Sequence, residues 1–199
     1  GSEMCIRDRN SGSWTEKTYN ENVSDFQKIK FRQRVAIDMS NRTLETKMIN
    51  QPVSMPVAIA PTGLTGMQRA DGEILAAQAA EEFGIPYTLS TMSVCSIEAV
   101  AEKTKTPFWF QLYVMKDKKF MERLIDRAKE AKCSALVLTL DLQLLGQRHK
   151  DLRNGLSTPP KLIPKHIYQV LTRPMWCLRM LTTKNHFFGN IVGHVKGIK

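Results

Sequence analysis

The sequence has few of the features that mark disulfide-rich, zinc-binding or membrane-spanning proteins. Its four cysteines, Cys5, Cys95, Cys133 and Cys177, are far apart and form no C-x-x-C pair. Neither a zinc knuckle nor a disulfide framework is expected, so a reducing cytoplasm is the predicted location. No apolar run approaches the roughly 18 residues needed to cross a bilayer. The polar first residues lack a signal-peptide pattern, and residues 1–10, which match nothing that follows, are predicted to be a leader foreign to the native chain.

Acidic residues are missing from residues 152–199, although the chain as a whole has a formal net charge of +10. The basic residues of this segment are Arg153, Lys161, Lys165, Arg173, Arg179, Lys184, Lys196 and Lys199, and its apolar anchors are Leu162, Ile163, Ile167, Tyr168, Trp176, Leu178, Met180, Phe187 and Phe188. Such a mixture is typical of a membrane-interface segment. An excursion that folds over an active site and exposes its charges to water is an equal alternative. Nucleic-acid binding ranks third, because no recognised motif for it is present.

A hydrophobic content of 42% over 199 residues is sufficient for one domain with a core. Residues 14–29 predict a weak amphipathic helix, and residues 34–39 and 43–53 predict short strands with turn residues at 50–52. Residues 55–63 form an apolar run that breaks on Pro61, Thr62 and Gly63, as expected for a buried parallel strand that ends in a binding loop.

Strand and helix patterns then alternate. Further strands are predicted at 86–90, 107–113 and 135–140, the last of them apolar on both faces. Asp71, Ser96 and Asp117 are the predicted N-caps of the intervening helices, and Gly84 is the predicted stop of the first one. The strand spacing is that of a (β/α)₈ barrel, a fold of roughly 250 residues. Residues up to about 141 provide four βα units, so the sequence indicates either the first half of a barrel or an open sheet.

Polar side chains are concentrated at the predicted carboxyl ends of the strands, where ligands bind in such folds. They are Thr62, Ser90, Thr91, Gln111, Tyr113, Thr139 and Asp141. Each one alone is more often a cap or turn residue. Together they predict a pocket suited to a planar heterocycle with many hydrogen-bonding groups.

Several motifs resemble the FMN-dependent α-hydroxy-acid dehydrogenase and oxidase family. They are VAIAPTG at 57–63, TLST at 88–91, FQLY at 110–113 and LTLDLQLLGQR at 138–148. The run GQRHKDLRNG at 146–155 is most similar to bacterial flavin-type L-lactate dehydrogenases. The resemblance covers residues 11–199 with order and spacing intact. It implies a (β/α)₈ barrel, of which this chain holds the N-terminal half.

The resemblance also implies roles for individual residues. The backbone of Pro61, Thr62 and Gly63 would lie against the flavin of FMN, and the hydrogen bonds to its ring would come from Ser90, Gln111 and Thr139. Tyr113 would help to hold the substrate, and Asp141 would orient and stabilise a protonated catalytic histidine. Arg148 would pair with the substrate carboxylate, because a guanidinium fork matches a carboxylate in two parallel hydrogen bonds. No metal is expected.

Parts of the family pattern are absent from the sequence. The His-Gly-Gly-Arg type motif, the lysine of the fifth strand and the glycine-rich phosphate loop have no counterpart, and neither has the tyrosine before the SGSW run at 11–14. His149 is interpreted as a solvated neighbour of Arg148. An Asp without its His cannot support proton abstraction. The 199-residue chain is therefore predicted to be inactive, as one half of an enzyme that oxidises a small L-2-hydroxy acid, with L-lactate as the expected substrate.

The predicted organisation is a leader at 1–10, an N-terminal segment of helix and short strands at 11–54, the first half of an FMN-binding barrel at 55–151, and a basic apolar excursion at 152–199. A quinone or a cytochrome is a candidate electron acceptor, the full-length protein is expected to be a homo-oligomer, and an anionic membrane surface is a candidate partner. The competing hypotheses are a non-catalytic basic half-barrel that binds a membrane or a partner, and a barrel enzyme of different chemistry, such as an isomerase.

Overall fold

A computed structural model describes residues 11–141, 146–153, 168 and 171–193. The predicted leader at 1–10 and most of the excursion between 154 and 170 lie outside the described residues. The secondary-structure elements are α1 (Lys17–Ser24), a 3₁₀ helix (Asp25–Lys28), β1 (Thr46–Met48), β2 (Gln51–Val53), α2 (Thr65–Gln68), α3 (Gly72–Phe83), β3 (Thr88–Ser90), α4 (Ile97–Lys103), β4 (Trp109–Tyr113), α5 (Lys118–Glu130), β5 (Ala135–Thr139), α6 (His149–Arg153) and α7 (Pro174–Thr182).

The chain divides into two units, of which one comprises residues 1–43 and 144–173. Within this unit the backbone N–H of Trp14 donates to Gln147 O at 2.8 Å, and the Lys150 ammonium pairs with the Glu16 carboxylate at 2.6 Å. The predicted amphipathic helix forms as α1 and the 3₁₀ helix, and neither buries a residue. Residues 34–39, predicted as a strand, have no regular structure and are exposed, because none of the described residues pairs with them as a strand.

The other unit comprises residues 44–143 and 174–199, and its centre is a parallel sheet in the order β3-β4-β5. The register pairs Ser90 with Gln111 and Tyr113 with Thr139. Before β3, the predicted strand at 55–63 is reduced to a single parallel bridge between Ile59 and Tyr87. Proline at 56 and 61 explains the difference, since a residue without an N–H cannot donate to a strand ladder.

The helices of this unit cover one face of the sheet. Leu89, Phe110 and Leu112 are buried there, and the core also includes Ile97, Val100, Phe120, Leu124 and Ala128. Phe120, Leu124 and Ala128 are the buried residues of α5. On β5, however, Leu136 and Leu138 are about half exposed. The strand is apolar on both faces, as predicted, but it is not fully buried, because the described helices leave Leu136 and Leu138 partly uncovered on the face that they share with Phe110 and Leu112.

Residues 43–53, predicted as a short strand with turn residues at 50–52, instead contain the hairpin β1–β2, whose turn lies at residues 49 and 50. Ile49 and Asn50 both have positive φ (48° and 61°), and Pro52 lies inside β2 opposite Lys47. Two-residue hairpin turns of type I′ need positive φ at both central residues. The proline ring locks φ near −65°, so Pro52 cannot supply such a residue.

The helix ends follow the sequence closely. Ser96 Oγ accepts from the N–H of Ala99 at 3.1 Å, and the Asp117 carboxylate accepts from the N–H of Phe120 at 3.0 Å. Gly84 ends α3 with φ of +78°. Asp71 stands at the N-cap position of α3, but its φ is +55° and its side chain caps no N–H of that helix. The predicted cap position is correct and the predicted hydrogen bond is wrong, because this carboxylate is used elsewhere.

Candidate functional site

Three polar side chains meet at the carboxyl ends of the parallel strands. Ser90 Oγ donates to Gln111 Oε1 at 3.1 Å, and Gln111 Nε2 donates to Thr139 Oγ1 at 2.7 Å. The register places these residues on the same face of β3, β4 and β5, opposite the helices. We call Ser90, Gln111 and Thr139 the polar row. The structure thus brings together the residues that the sequence predicted for the flavin ring.

Thr91 fixes the position of Gln111, the middle residue of the polar row. It is fully buried, its Oγ1 donates to Gln111 O at 2.6 Å, and it accepts from the N–H of Tyr113 at 3.3 Å. Its own N–H donates to Gln111 Oε1 at 3.3 Å. Because Gln111 is also buried, its amide orientation is fixed by these neighbours. The sequence indicated a strand-end hydroxyl at position 91 but gave it no role of its own.

The loop of Pro61, Thr62 and Gly63 lies beside the loop that follows β3. The N–H of Leu64 donates to Met92 O at 2.9 Å. A Cβ at Gly63 would lie 3.1 Å from Met92 Cβ and 3.2 Å from Met92 O, so glycine permits this close approach. Pro61 and Thr62 are exposed. Their loop therefore presents accessible backbone next to the polar row's first member.

Glu73 is a functional candidate that sequence reasoning missed. It is fully buried in the first turn of α3, and its Oε1 accepts from the N–H of Val94 at 3.0 Å. Burial, reinforced by the nearby Glu73 carboxylate, raises the pKa of Tyr87 and of Cys95. Glu73 therefore links α3 to the loop that follows β3. A carboxylate at a helix N-terminus is usually exposed, so no signal in the sequence indicates this burial.

The remaining predicted residues have different surroundings. Tyr113 is partly buried at the end of β4, and Asp141 is exposed just after β5. Arg148 belongs to the other unit, where its Nη2 donates to Ser11 Oγ at 3.1 Å. In the same unit the His149 ring lies edge-on to Trp14, with ring centroids 5.7 Å apart.

The polar row fits a flavin ring by its donor and acceptor set. Gln111 Nε2 carries a second hydrogen beyond the one given to Thr139, and the Thr139 hydroxyl, which accepts from Gln111, keeps its own proton for donation. An isoalloxazine ring offers both carbonyl oxygens and an N–H along its edge. The loop that contains Gly63 presents accessible backbone on one side. Amide and hydroxyl groups lie on the other side, and together these groups match the edge of the ring chemically.

No helix within the described ranges combines the length and the apolar character needed to span a bilayer. In the same ranges, no group of three or more His, Cys, Asp and Glu side chains is arranged to hold a metal ion.

The sequence profile of the FMN-dependent dehydrogenase family matches residues 2–196. The L-lactate dehydrogenase of Acinetobacter baylyi (strain ATCC 33305 / BD413 / ADP1) is 46% identical over 181 residues, which cover 90% of this chain and 47% of that protein. The chain therefore spans about half the length of this relative.

Solved structures also match this chain over only about half of their own length. The monotopic membrane protein (S)-mandelate dehydrogenase superimposes with a TM-score of 0.88 at 31% identity, covering 96% of this chain and 51% of that one. A mutant mandelate oxidase with (S)-mandelic acid superimposes with a TM-score of 0.74 at 31% identity, covering 77% and 46%. The match extends through almost the whole chain in the first case and again reaches only half of each neighbour.

Proposed function

Because the chain belongs to the FMN-dependent dehydrogenase family, we propose that the complete protein oxidises a small L-2-hydroxy acid to the 2-oxo acid, with L-lactate as the substrate. The observation that carries the proposal is the polar row, with Gln111 bonded to Thr139 at 2.7 Å and to Ser90 at 3.1 Å. The choice of L-lactate is supported by the 46% identity to the L-lactate dehydrogenase of Acinetobacter baylyi.

FMN is the cofactor of the family, and when bound it supplies a two-electron acceptor. In our proposal Ser90, Gln111 and Thr139 hydrogen-bond the edge of the flavin ring. The backbone of Pro61, Thr62 and Gly63 lies against the face of the ring. The fixed orientation of the buried Gln111 amide supports this role, since a preorganised donor costs little to align when the ligand binds.

Tyr113, Asp141 and Arg148 are the proposed substrate-side residues. Tyr113 holds the substrate, and the Arg148 guanidinium pairs with its carboxylate in two parallel hydrogen bonds. The exposed Asp141 orients a histidine that takes the substrate proton and stabilises the charge this histidine gains. That histidine is none of those in this sequence. We therefore propose that the 199-residue chain alone has no hydroxy-acid dehydrogenase activity.

The test compares the 199-residue chain with the complete protein encoded by the parent gene. We expect the complete protein to contain bound FMN and to reduce an artificial dye with L-lactate, while the chain alone does not exceed a blank. Turnover by the chain alone would refute its proposed inactivity. A complete protein that holds FMN but ignores L-lactate and other small L-2-hydroxy acids would refute the proposed reaction.

A membrane surface is a second proposed partner, and α7 supplies the observation that favours it. Met175, Leu178 and Leu181 lie on the same side of this helix, and all are largely exposed. Arg179 and Lys184 add positive charge without any acid between them. An apolar stripe with basic neighbours suits the interface of an anionic bilayer. The likeness to a monotopic membrane protein also supports it.

In this proposal the complete protein is cytoplasmic and binds peripherally to the cytoplasmic face of the inner membrane. It passes electrons to a quinone or a cytochrome, and it forms a homo-oligomer. Flotation with anionic vesicles at low salt tests membrane binding, and a protein that stays at the bottom of the gradient would contradict it. Flotation by a complete protein that binds no FMN would instead favour a non-catalytic, basic membrane-binding module.

A further inference from the structure

Residues 174–193 contact α2, the turn that follows α2, and the loop that follows β3. Trp176 Nε1–H donates to Met67 O at 3.1 Å. The Asp71 carboxylate accepts from Thr183 Oγ1 and from Asn185 Nδ2, both at 2.7 Å. These contacts fasten the segment that contains α7 to α2 and to the turn between α2 and α3. The same segment then continues to the loop after β3.

Asn190 makes the contact with that second loop, and its side chain is completely buried. Its Oδ1 accepts from the N–H of Ile97 at 3.0 Å and from Arg127 Nη2 at 3.3 Å. Its Nδ2 donates to Ser93 Oγ at 2.9 Å and to Ser90 O at 3.4 Å. Both donor hydrogens and the acceptor oxygen of the amide are used. A buried polar group satisfied on every side has one defined orientation.

Gly189 lets the backbone come close enough for these bonds. Its N–H donates to Val94 O at 3.1 Å and to Ser93 O at 3.3 Å. A Cβ at this position would lie 2.6 Å from Val94 O and 2.7 Å from Ser96 N, and both of these are backbone atoms that cannot swing aside. The segment is thus seated directly on the loop between β3 and α4.

Arg127 fixes the other side of the Asn190 amide. Its guanidinium forms a bidentate pair with the Glu98 carboxylate at 2.6 and 2.8 Å, and its Nη1 donates to Asn190 O at 3.3 Å. The arginine is itself largely buried. Asn190 is therefore held between α4, α5 and the end of β3.

Ser90 connects this arrangement to the candidate flavin site. Its carbonyl oxygen accepts from Asn190 and from the N–H of Ser93 at 3.1 Å, while its hydroxyl accepts from the N–H of Met92 and donates to Gln111. The backbone at Ser90 thus has its position set from one side by Asn190. Its hydroxyl begins the polar row on the other side.

We propose that Asn190 is a positioning residue for FMN, acting through Ser90 and Ser93 on the first member of the polar row. The inference rests on the proposed function, in which the polar row holds the flavin ring. It adds a residue from far along the chain that touches neither the cofactor nor the substrate. Without the Nδ2 donor, the turn after β3 loses its bonds from Asn190 to Ser90 O and to Ser93 Oγ, and the Ser90 carbonyl is left with the bond from the N–H of Ser93. The Ser90 hydroxyl is then less firmly held in the position from which it meets the ring.

Asn190→Asp separates positioning from simple anchoring. An aspartate keeps an acceptor for the N–H of Ile97 and for Arg127, so the segment stays attached to α4 and α5. It has no donor for Ser93 Oγ and faces Ser90 O with a second oxygen. If Asn190 served only to stabilise the fold, this variant would bind FMN as the wild type does.

The experiment uses the complete protein, stripped of FMN and titrated with FMN while flavin fluorescence and the visible absorption spectrum are recorded. We expect Asn190→Asp and Asn190→Ala to raise the Kd for FMN roughly 10-fold to 100-fold, the loss typical when an outer-shell partner of a bound group is removed. The visible band of the bound flavin should shift as well. Leu124→Ala is the control, since it removes a buried side chain of α5 and lowers the Tm without a hydrogen bond to the loop.

An unchanged Kd and spectrum for folded Asn190→Asp would overturn the inference, and so would an equal rise in Kd for Leu124→Ala. Failure of the proposed function would look different. In that case the wild-type complete protein would bind no FMN, or Gln111→Leu would leave the Kd unchanged. A wild type that binds FMN and depends on Gln111, but not on Asn190, refutes the positioning role alone.

Discussion

The Thr183 hydroxyl donates to the Asp71 carboxylate at 2.7 Å, although the two residues are 112 positions apart in the sequence. Asp71 stands where a helix cap would stand, yet its Oδ1 accepts from Thr183 and Asn185 instead. A hydrogen bond to a charged group contributes more than a neutral one, because the ionised partner strengthens it. The start of α3 is thus tied to the chain beyond α7.

A double-mutant cycle measures this tie. We expect Asp71→Ala and Thr183→Val each to lower the free energy of unfolding by ~1–3 kcal/mol, and to be coupled by ~1 kcal/mol when combined. The backbone cost of alanine at the positive φ of Asp71 is common to both arms of the cycle and cancels. Urea denaturation gives the values. Strict additivity would show that the contact contributes nothing to stability.

Gly189→Ala should destabilise the chain by ~1–3 kcal/mol or more, because its new methyl group meets backbone atoms 2.6 and 2.7 Å away. Gly193→Ala is the control. At Gly193 no atom of the described residues lies within 4 Å of the added Cβ, so its positive φ of +81° is the main contribution. Thermal unfolding of both variants should rank Gly189→Ala as the more harmful. The reverse order would contradict the seating of this segment on the loop.

Stability in acid should depend on Glu98. Its bidentate pair with Arg127 lowers the pKa of this carboxyl from 4.5 to about 2. A lowered folded-state pKa contributes stability above pH 4.5 that is lost as the pH falls towards 2. Since the carboxylate is about half exposed, screening by water limits the effect to ~1 kcal/mol. Urea unfolding of the wild type at pH 7 and pH 3 should show this loss.

Acid should lower the free energy of unfolding less in Glu98→Gln than in the wild type, because the contribution of the pair with Arg127 is absent. Glu102→Gln, an exposed substitution on the same helix, is the matched control and should keep the full pH dependence of the wild type. If the two variants have the same dependence on pH, the Arg127 pair is not its source.

Gln111→Leu should disrupt the polar row. It leaves the buried Ser90 hydroxyl without its acceptor, which should lower the free energy of unfolding by ~1–3 kcal/mol. In the complete protein it should also weaken FMN binding, measured by fluorescence titration. Gln78→Leu is the control, because Gln78 lies on α3 and makes an exposed bond to Lys103 O. Equal effects of the two substitutions on FMN binding would exclude a special role for Gln111.

The apolar stripe of α7 should govern attachment to anionic vesicles. Replacing Leu178 and Leu181 by serine should lower vesicle binding at least about tenfold, since burying one leucine contributes ~1.5–3 kcal/mol. Leu75→Ser is the control, because Leu75 is also exposed but lies on α3. Co-sedimentation with vesicles measures both. A double variant that binds like the wild type would remove α7 from the proposed membrane surface.

Local chemistry made much of this fold predictable. Ser96 and Asp117 cap their helices through bonds to residues three positions ahead, and Gly84 ends its helix by its own backbone freedom. The predicted family and its FMN cofactor are confirmed by the profile match over residues 2–196. The roles of Tyr113, Asp141 and Arg148 stay predictions.

The sequence by itself determined which residues stand at the ends of the parallel strands, because the order of polar and apolar residues indicates the period and the spacing of the strands. It also determined the caps at Ser96 and Asp117, which depend on neighbours in the chain. Only the tertiary structure decided that Glu73 is buried, and that the segment after α7 reaches Asp71 through Thr183 and Ser90 through Asn190. Those contacts join residues about a hundred positions apart or more, where no local pattern specifies which partner will come close.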